Sequence, residues 1–220
     1  MMSYTLDKEY IRWILEAKKP ETRENRKVKI IEIILARKKN LMEKIKRLET
    51  ERLLLEPMTI NEAPFILELY NSPNFIKFIG DRNIKSIDDA ENYIINKFLP
   101  QFERLGYGNF LIKLKADEKK IGSVGIFERE GLEVHDIGFS FLPEFEGKGY
   151  GFESAKKLME TAFSELGLKK ISAITSKENV ASQKLIEKLG LNYLKTIKLP
   201  DDDDELLYYE IENIANLLQK

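Results

Sequence analysis

The sequence predicts an α+β fold in which a mostly antiparallel central sheet is flanked by helices and preceded by an N-terminal extension of two helices. Residues 3–49 contain no glycine and place apolar residues at helical spacing. Three segments near the middle of the chain, 109–115, 120–128 and 133–142, are strand candidates joined by short polar connectors, as antiparallel strands are. The last third changes repeatedly between helical and strand periodicity. The 220 residues can hold one domain and an appendage, which we assign to residues 51–220 and 1–50.

The extension is predicted to form two helices that are separated at Pro20, with Thr22 available to cap the second. The apolar stripe of the first helix consists of Leu6, Tyr10, Trp13, Ile14 and Ala17. The stripe of the second consists of Val28, Ile31, Ile34, Leu35, Met42, Ile45 and Leu48. At the usual rise per residue, the second helix would be a rod of roughly 40 Å.

The main domain is predicted to begin with a strand and a group of helices, which lead into three antiparallel strands. The expected strands are 52–58, 109–115, 120–128, 133–142, 170–175, 192–199 and 206–211. The expected helices start at Thr59 and cover 65–70, 87–105, 152–166 and 178–189. Gly167 and Gly190 are placed to end the last two helices.

The composition argues against several classes of function. Lys and Arg (36 residues) nearly balance Asp and Glu (37), so no overall charge attracts nucleic acid or a membrane surface. The chain has no Cys and one His, His135, which removes thiolate catalysis, disulfides and cysteine-based zinc sites. No carboxylate motif organises a metal site. No signal sequence and no run of eighteen apolar residues is present, and we expect a cytoplasmic protein.

The turn Gly147-Lys148-Gly149-Tyr150-Gly151 is the segment that indicates chemistry, because it leads from a strand into a strongly amphipathic helix. A helix N-terminus offers free N–H groups and a partial positive charge, and glycines let a phosphate approach the backbone closely. The turn does not fit the P-loop of nucleotide hydrolases, since Gly151 is followed by Phe152. It does not fit the dinucleotide-binding pattern, which would need glycine at position 152.

This segment resembles the pyrophosphate loop of the GNAT superfamily of N-acetyltransferases, which reads Gln/Arg-x-x-Gly-x-Gly/Ala at a strand-to-helix junction. Glu146 stands where the family usually has Gln, Arg or an aromatic residue. The resemblance covers residues 51–212. Within it, five blocks of the chain are similar to the ribosomal-protein alanine acetyltransferase branch. They are Arg52-Leu53-Leu54-Leu55, Asp136-Ile137-Gly138-Phe139, Gly147 to Ser154, Asn179-Val180-Ala181-Ser182 and Glu187-Lys188-Leu189-Gly190-Leu191.

The resemblance implies acetyl-CoA as the co-substrate, and it implies which residues bind it. They are Phe139, Phe141, Leu142, Gly147, Lys148, Gly149, Tyr150, Gly151, Phe152, Asn179 and Ser182. A main-chain N–H near Phe141 would polarise the thioester carbonyl in a gap between the strands that end near Leu142 and Thr175. Asn179 is expected to cap a helix as well.

Direct attack of an amine on the thioester in a ternary complex needs a base for the amine and an acid for the departing thiolate. The resemblance points to Asp136 as the base, acting through water, and to Ser182 as the group that protonates sulfur. Many relatives place a Tyr seven residues beyond the Asn, where this chain has Ile186, so another group or solvent must replace that acid. We interpret Glu153 as a first-turn residue that complements the helix dipole.

The expected activity is acetyl transfer to a primary amine, either the α-amine of a protein N-terminus or a small cationic amine. The acidic run Asp201–Asp204, with Glu205, is either a rim that favours a cationic acceptor or a solvated hairpin loop. The alternative function is a non-catalytic acetyl-CoA-binding sensor or adaptor whose helical extension binds a partner.

The extension invites a second comparison. Its Ile11-Arg12-Trp13-Ile14 segment, followed by Ala17 to Arg23, is similar to the helical tail of the bacteriocin-protection (OmpD-associated) family over residues 1–45. Partner docking, formation of a homodimer and packing on the main domain are all open roles for it. No aromatic platform or glycine-flanked basic motif supports nucleic-acid binding.

Overall fold

The computed structural model describes residues 12–30, 32, 47–200 and 204–213. Its contacts divide the chain into two compact units, Met1–Lys46 and Arg47–Lys220. The division lies ahead of the boundary expected at residue 51, because Leu48 and Glu49 pair with the first long strand of the second unit. Leu48, expected on a helix of the extension, is therefore a buried strand residue.

The second unit is built on an eight-stranded sheet. Its strands are β1 (Leu48–Glu49), β2 (Leu53–Pro57), β3 (Asn109–Leu114), β4 (Lys120–Phe127), β5 (Asp136–Phe141), β6 (Lys170–Ser176), β7 (Asn192–Ile197) and β8 (Leu206–Glu212). They lie in the order β1-β2-β3-β4-β5-β6-β8-β7. Every neighbouring pair is antiparallel except β5 and β6, which are parallel. The prediction of a mostly antiparallel sheet containing a β3–β4–β5 meander is confirmed.

The helices of this unit are α1 (Ala63–Tyr70), α2 (Pro73–Ile79), α3 (Ile87–Tyr93), α4 (Leu99–Leu105), α5 (Tyr150–Ser164) and α6 (Val180–Lys188). The start expected at Thr59 is confirmed, because a capping box with Glu62 opens a short 3-10 turn ahead of α1. The sequence pattern does not predict α2, which begins at Pro73, where a first turn needs no N–H. Ile94–Phe98 form a π-helical turn before Pro100, which lacks the N–H that a regular helix would use there.

Helix α5 packs its predicted apolar stripe on the sheet. Ala155, Leu158 and Ala162 are fully buried, and burying one such leucine stabilises the fold by about 2 kcal/mol. Two polar residues of this face, Ser154 and Thr161, donate their hydroxyls to carbonyls of the preceding turn, at 2.8 and 3.0 Å. The helix is thereby fixed over β4 and β5, and its N-terminus lies beyond the end of β5.

The described part of the N-terminal unit forms two helical segments. The second begins at Pro20, so Thr22 lies inside its first turn rather than at its cap. Arg26 donates a hydrogen bond to the carbonyl of Trp13 and places its guanidinium 4.9 Å above the indole ring. Some residues of the predicted stripes lie outside the described residues: Leu6, Tyr10, Ile31, Ile34, Leu35, Met42 and Ile45.

Two elements near the site start later than the sequence predicts. β5 begins at Asp136 rather than at residue 133, because the chain first completes a turn around Gly131, whose φ is +84°. α6 begins at Val180 rather than at residue 178, because Asn179 caps it. In the part of the chain that the structure describes, no helix is long and apolar enough to cross a membrane.

Candidate active site

A fork between β5 and β6 organises the candidate site. The two strands pair at one position only, Asp136 with Ser172. The Ser172 N–H donates to the His135 carbonyl at 2.9 Å, and its hydroxyl donates to the Val134 carbonyl at 3.0 Å. Both strands are described over their full length, and no pairing follows this point, so they diverge toward their carboxyl ends.

Main-chain donors of β5 face this gap. Leu142 donates its N–H to the Ile121 carbonyl of β4 at 3.0 Å. Successive N–H groups of a strand point alternately to its two sides, so those of Phe139 and Phe141 point away from β4, toward β6. Donors in such a position can stabilise the oxyanion that forms when an acyl group is transferred.

Leu142 differs from its two neighbours. Its N–H is used by β4, and its carbonyl accepts the Phe145 N–H at 2.9 Å. Any contact between Leu142 and acetyl-CoA, as the sequence predicts, therefore depends on its side chain, which is 5% exposed.

The glycine loop closes the open end of the fork. Gly147 and Gly149 have φ of +69° and +83°, a left-handed conformation that favours glycine. α5 follows at once, and its first hydrogen bond runs from the Glu153 N–H to the Gly149 carbonyl at 3.1 Å. The three N–H groups that open α5 therefore have no acceptor within the helix. We call these N–H groups, with the partial positive charge of the helix end, the cradle, because a helix N-terminus of this kind offers the donors and the charge that an anion needs.

Gly151 serves a different purpose, which is close packing. A Cβ atom at this position would lie 3.0 Å from Leu185 Cδ2 of α6 and 3.4 Å from Phe141 Cε2 of β5. A glycine here lets α5, α6 and β5 meet at one point, so the loop is held by three elements.

Cationic side chains surround the cradle. Arg52 lies 4.6 Å over the Tyr150 ring, with its charge balanced by Glu153. Two lysines add positive charge, because Lys188 Nζ lies 4.4 Å from the Phe152 ring and Lys148 is exposed. Their arrangement around free main-chain donors is suited to a polyanionic ligand.

Arg52 and Glu153 form a contact that the sequence does not predict. Arg52 donates from its main-chain N to Glu153 Oε1 at 2.8 Å and from Nε to Oε2 at 2.7 Å. Thr50 Oγ1 donates to Oε1 at 2.5 Å. Burial raises the pKa of Glu153, but the hydrogen bonds from Thr50 and Arg52 outweigh it, so the net shift is downward and the carboxylate stays ionised. Glu153 thus anchors the start of β2 to α5, beyond the dipole role that we expected.

Glu146, the residue that departs from the family pattern, also has a structural partner. Asn74 of α2 donates from Nδ2 to Glu146 Oε2 at 2.7 Å. The Glu146 side chain thus connects α2, which the sequence pattern does not predict, to the glycine loop.

The predicted pair of Asn179 and Ser182 lies at the N-terminus of α6. Asn179 Oδ1 accepts the Ser182 N–H at 3.1 Å, which confirms the expected helix cap. Among the described residues, no hydrogen bond uses the Ser182 hydroxyl, and the residue is partly exposed. The hydroxyl is therefore available to a ligand.

Asp136 is buried at the point of the fork rather than exposed. Its two carboxylate oxygens accept from Nε and Nη2 of Arg129, both at 3.0 Å, and its side chain is 2% exposed. Burial raises the pKa of Asp136, and the Arg129 guanidinium opposes that rise. The sequence gives no sign of this pair, because Arg129 belongs to the connector that follows β4.

An aromatic cluster lies close to Arg129. Tyr70 stacks on Phe75 with ring centres 4.0 Å apart and meets Tyr93 edge to face at 5.6 Å. Burial raises the pKa of Tyr70 and Tyr93, and the charges of Arg82 and Arg129 act on both phenols in the opposite direction. The cluster joins α1, α2 and α3 beside the fork.

The segment that forms this site matches a known protein family. Residues 52–192 match the family model described as an acetyltransferase (GNAT) domain. The chain belongs to the GNAT acetyltransferase family. The match includes the fork, the glycine loop and both ends of the Arg52–Glu153 contact. Residues 2–37 match a second model, described as bacteriocin-protection, YdeI or OmpD-associated.

Relatives of this GNAT chain include the N-acetyltransferase YoaA of Bacillus subtilis strain 168. It is 28% identical over 144 residues, which are 65% of this chain and 81% of the relative. The ribosomal-protein-S5-alanine acetyltransferase of Vibrio fischeri has the same fold, with a TM-score of 0.65 at 16% identity, over 76% of this chain and 97% of that one. The spermidine N-acetyltransferase of Vibrio cholerae, solved with CoA and spermine, also has this fold. Its TM-score is 0.63 at 18% identity, over 76% of this chain and 99% of that one.

Proposed function

We propose that this GNAT protein transfers the acetyl group of acetyl-CoA to a primary amine by direct attack in a ternary complex. One observation carries the proposal. The free N–H groups of β5 face the gap between β5 and β6, and the glycine loop that follows β5 leads directly into the free N–H groups that open α5. A ligand with an acyl thioester at one end and a diphosphate at the other would use both sets.

The residues present fit acetyl-CoA. The loop offers main-chain donors and nearby cations to the diphosphate, and the gap is open where β5 and β6 have no pairing. Acetyl-CoA supplies the activated acetyl thioester when it is bound. We assign Phe139, Phe141, the loop from Gly147 to Phe152, Asn179 and Ser182 to its binding, with Leu142 as an apolar wall.

The chain's own groups then have three tasks. The N–H of Phe141 stabilises the carbonyl oxygen as it gains charge. The Ser182 hydroxyl donates a proton to the departing sulfur and takes one back from solvent. Asp136, through a water, accepts the proton of the amine, and its burial keeps its basicity above that of an exposed carboxylate.

For the acceptor we propose a protein N-terminal α-amine or a small cationic amine. Fold neighbours include enzymes whose names specify each kind, ribosomal protein S5 alanine and spermidine. Within the predicted acidic rim, Asp201–Asp203 lie outside the described residues. Glu205 is ion-paired with Lys177 at 2.7 Å, so this part of the rim is already neutralised.

The test is thiol release from acetyl-CoA with a panel of free-N-terminus peptides and polyamines, followed by mass spectrometry of the products. Saturable release with one acetylated amine per turnover supports the proposal. If the purified chain does not bind acetyl-CoA, the proposal is wrong.

A second candidate function is an acetyl-CoA-binding sensor or adaptor. Ile186 favours it, because this side chain is 1% exposed and supplies no phenol where many relatives have a Tyr. Tight acetyl-CoA binding without turnover on any amine, together with capture of a partner by the N-terminal extension, would support the sensor over the enzyme.

A further inference from the structure

We propose that Arg52 and Glu153 are positioning residues for acetyl-CoA, which fix the direction of the Gly149 N–H in the glycine loop. The inference rests on the proposed binding of acetyl-CoA. It assigns a task to a contact between the start of β2 and the first turn of α5, two segments that are far apart in the sequence.

The guanidinium of Arg52 meets the loop in three ways. Nη1 donates to the Lys148 carbonyl at 3.2 Å, and the group lies 4.6 Å over the Tyr150 ring. A Cβ atom on Gly149 would lie 3.3 Å from Nη2. Arg52 is therefore packed against the centre of the loop.

Glu153 holds Arg52 in this place. The carboxylate takes both the main-chain N–H and Nε of Arg52, and Thr50 donates to the same carboxylate. The Glu153 side chain is 17% exposed, so this ion pair is shielded from water on one side. A fixed guanidinium can then direct Nη1 at one carbonyl rather than sample several.

Peptide geometry converts this contact into an orientation. In a trans peptide the C=O of one residue and the N–H of the next point in opposite directions, and the described residues contain no cis bond. When Arg52 holds the Lys148 carbonyl on its own side, the Gly149 N–H must point to the other side. The proposal places the diphosphate on that other side, where the Gly149 N–H would join the N–H groups that open α5 in binding it.

The loop needs such a restraint because it contains two left-handed glycines. Gly147 and Gly149 lie on either side of Lys148, and glycine moves between backbone conformations more freely than other residues. Without Arg52 the peptide between Lys148 and Gly149 could rotate. The ion pair has no net charge, so its contribution is orientation rather than attraction of the ligand.

The experiment measures the affinity of the full chain for coenzyme A by calorimetry, per folded protein, with the folded fraction taken from circular dichroism. Arg52→Met should weaken binding by roughly tenfold, the scale of one lost charged hydrogen bond. The KM for acetyl-CoA should rise by a similar factor, whereas kcat and the KM for the amine should not change. The affinity of Arg52→Lys for coenzyme A should lie between those of wild type and Arg52→Met, since one ammonium cannot bind both Glu153 and the Lys148 carbonyl.

Arg104→Met is the matched control, because Arg104 also pairs with a glutamate, Glu128, at the protein surface. Its affinity should equal that of wild type. Glu153→Gln separates positioning from direct contact: a loosened Arg52 weakens binding, whereas an Arg52 freed to contact phosphate would strengthen it.

Three results are informative in different ways. No affinity of wild type for coenzyme A would refute the proposed function and, with it, this inference. Wild-type binding with Arg52→Met within about twofold of it overturns the inference alone. Tighter binding by Glu153→Gln also overturns it.

Discussion

Three glycines of one short turn are needed for different physical reasons. Gly147 and Gly149 adopt left-handed backbone conformations, whereas Gly151 allows the close approach of Leu185 and Phe141. The sequence shows the glycines and their spacing. The distances that distinguish the two reasons depend on elements from other parts of the chain.

The first prediction compares two alanine substitutions in this turn. Gly147→Ala and Gly149→Ala should each destabilise the protein by about 1 kcal/mol, because both force alanine into a left-handed conformation. Only the second adds a methyl group 3.3 Å from Arg52 Nη2, while the first meets open space. Gly149→Ala should therefore weaken coenzyme A binding more than Gly147→Ala does. Chemical denaturation and calorimetry check this, and equal losses of affinity would contradict it.

The second prediction concerns the pH dependence of turnover, because Asp136, the proposed base, is ion-paired with Arg129. Arg129 lowers the pKa of Asp136 against the effect of burial. Removal of the guanidinium in Arg129→Met should raise that pKa, so the acidic limb of the kcat/KM profile should move to higher pH. Asp136→Asn should remove the limb and lower turnover by roughly a hundredfold.

The effect of Asp136→Asn on stability is the control for this kinetic prediction. Asp136→Asn leaves Arg129 partly buried without an ionised partner, which should destabilise the fold by about 2 kcal/mol. Unfolding by denaturant measures this loss. An Asp136→Asn variant that is destabilised but keeps the pH profile of wild type would leave Asp136 a structural residue.

At the scale of the element, the N-terminus of α6 contains a cap and a proposed acid three residues apart. Asn179 accepts the Ser182 N–H through its side chain, whereas Ser182 needs only its main chain for the cap. The two side chains can therefore be altered separately.

The third prediction uses that separation. Asn179→Ala should destabilise the protein by about 1 kcal/mol through loss of the cap. Ser182→Ala should leave the free energy of unfolding unchanged and lower kcat by roughly a hundredfold, since it removes a proton donor but no cap bond. Denaturation and steady-state kinetics on both variants test it. Normal turnover by Ser182→Ala would show that sulfur takes its proton elsewhere.

Elements with strong local periodicity are predicted well from the sequence. α5 and the three strands of the meander follow their apolar patterns, and Asn179 caps α6 as its type suggests. α2 and the π-helical turn Ile94–Phe98 are not predicted. α2 has a weak stripe around Phe75, and the π turn precedes Pro100, which lacks the N–H that a regular helix would use there.

At the scale of the whole molecule, the boundary between the two units decides what a shortened chain would contain. Residues 47–50 contribute Leu48, which is 6% exposed, and Thr50, which donates to Glu153. Glu49 pairs with Lys115 of the β3–β4 connector at 3.0 Å. These contacts place the segment with the catalytic unit.

The fourth prediction compares two truncated chains. Residues 47–220 should fold and keep the turnover of the full chain. Residues 51–220 should be less stable by about 2 kcal/mol, mainly because one buried leucine is lost, and should bind coenzyme A more weakly because Thr50 no longer holds Glu153. Equal stability of the two would place the boundary at residue 51, as the sequence suggests. Loss of turnover in 47–220 would assign the N-terminal unit a part in catalysis.

The sequence by itself determined the fold class, the family and the position of the glycine loop, because these depend on local periodicity, glycine spacing and the order of motifs along one stretch of chain. Only the tertiary structure decided that Asp136 is buried against Arg129, that Glu153 holds Arg52 beside the loop, and that Leu142 has already used its main-chain polar groups. Each of these depends on which side chains from distant segments meet at one point. Such meetings are set by the packing of the sheet and helices, and spacing along the chain does not contain them.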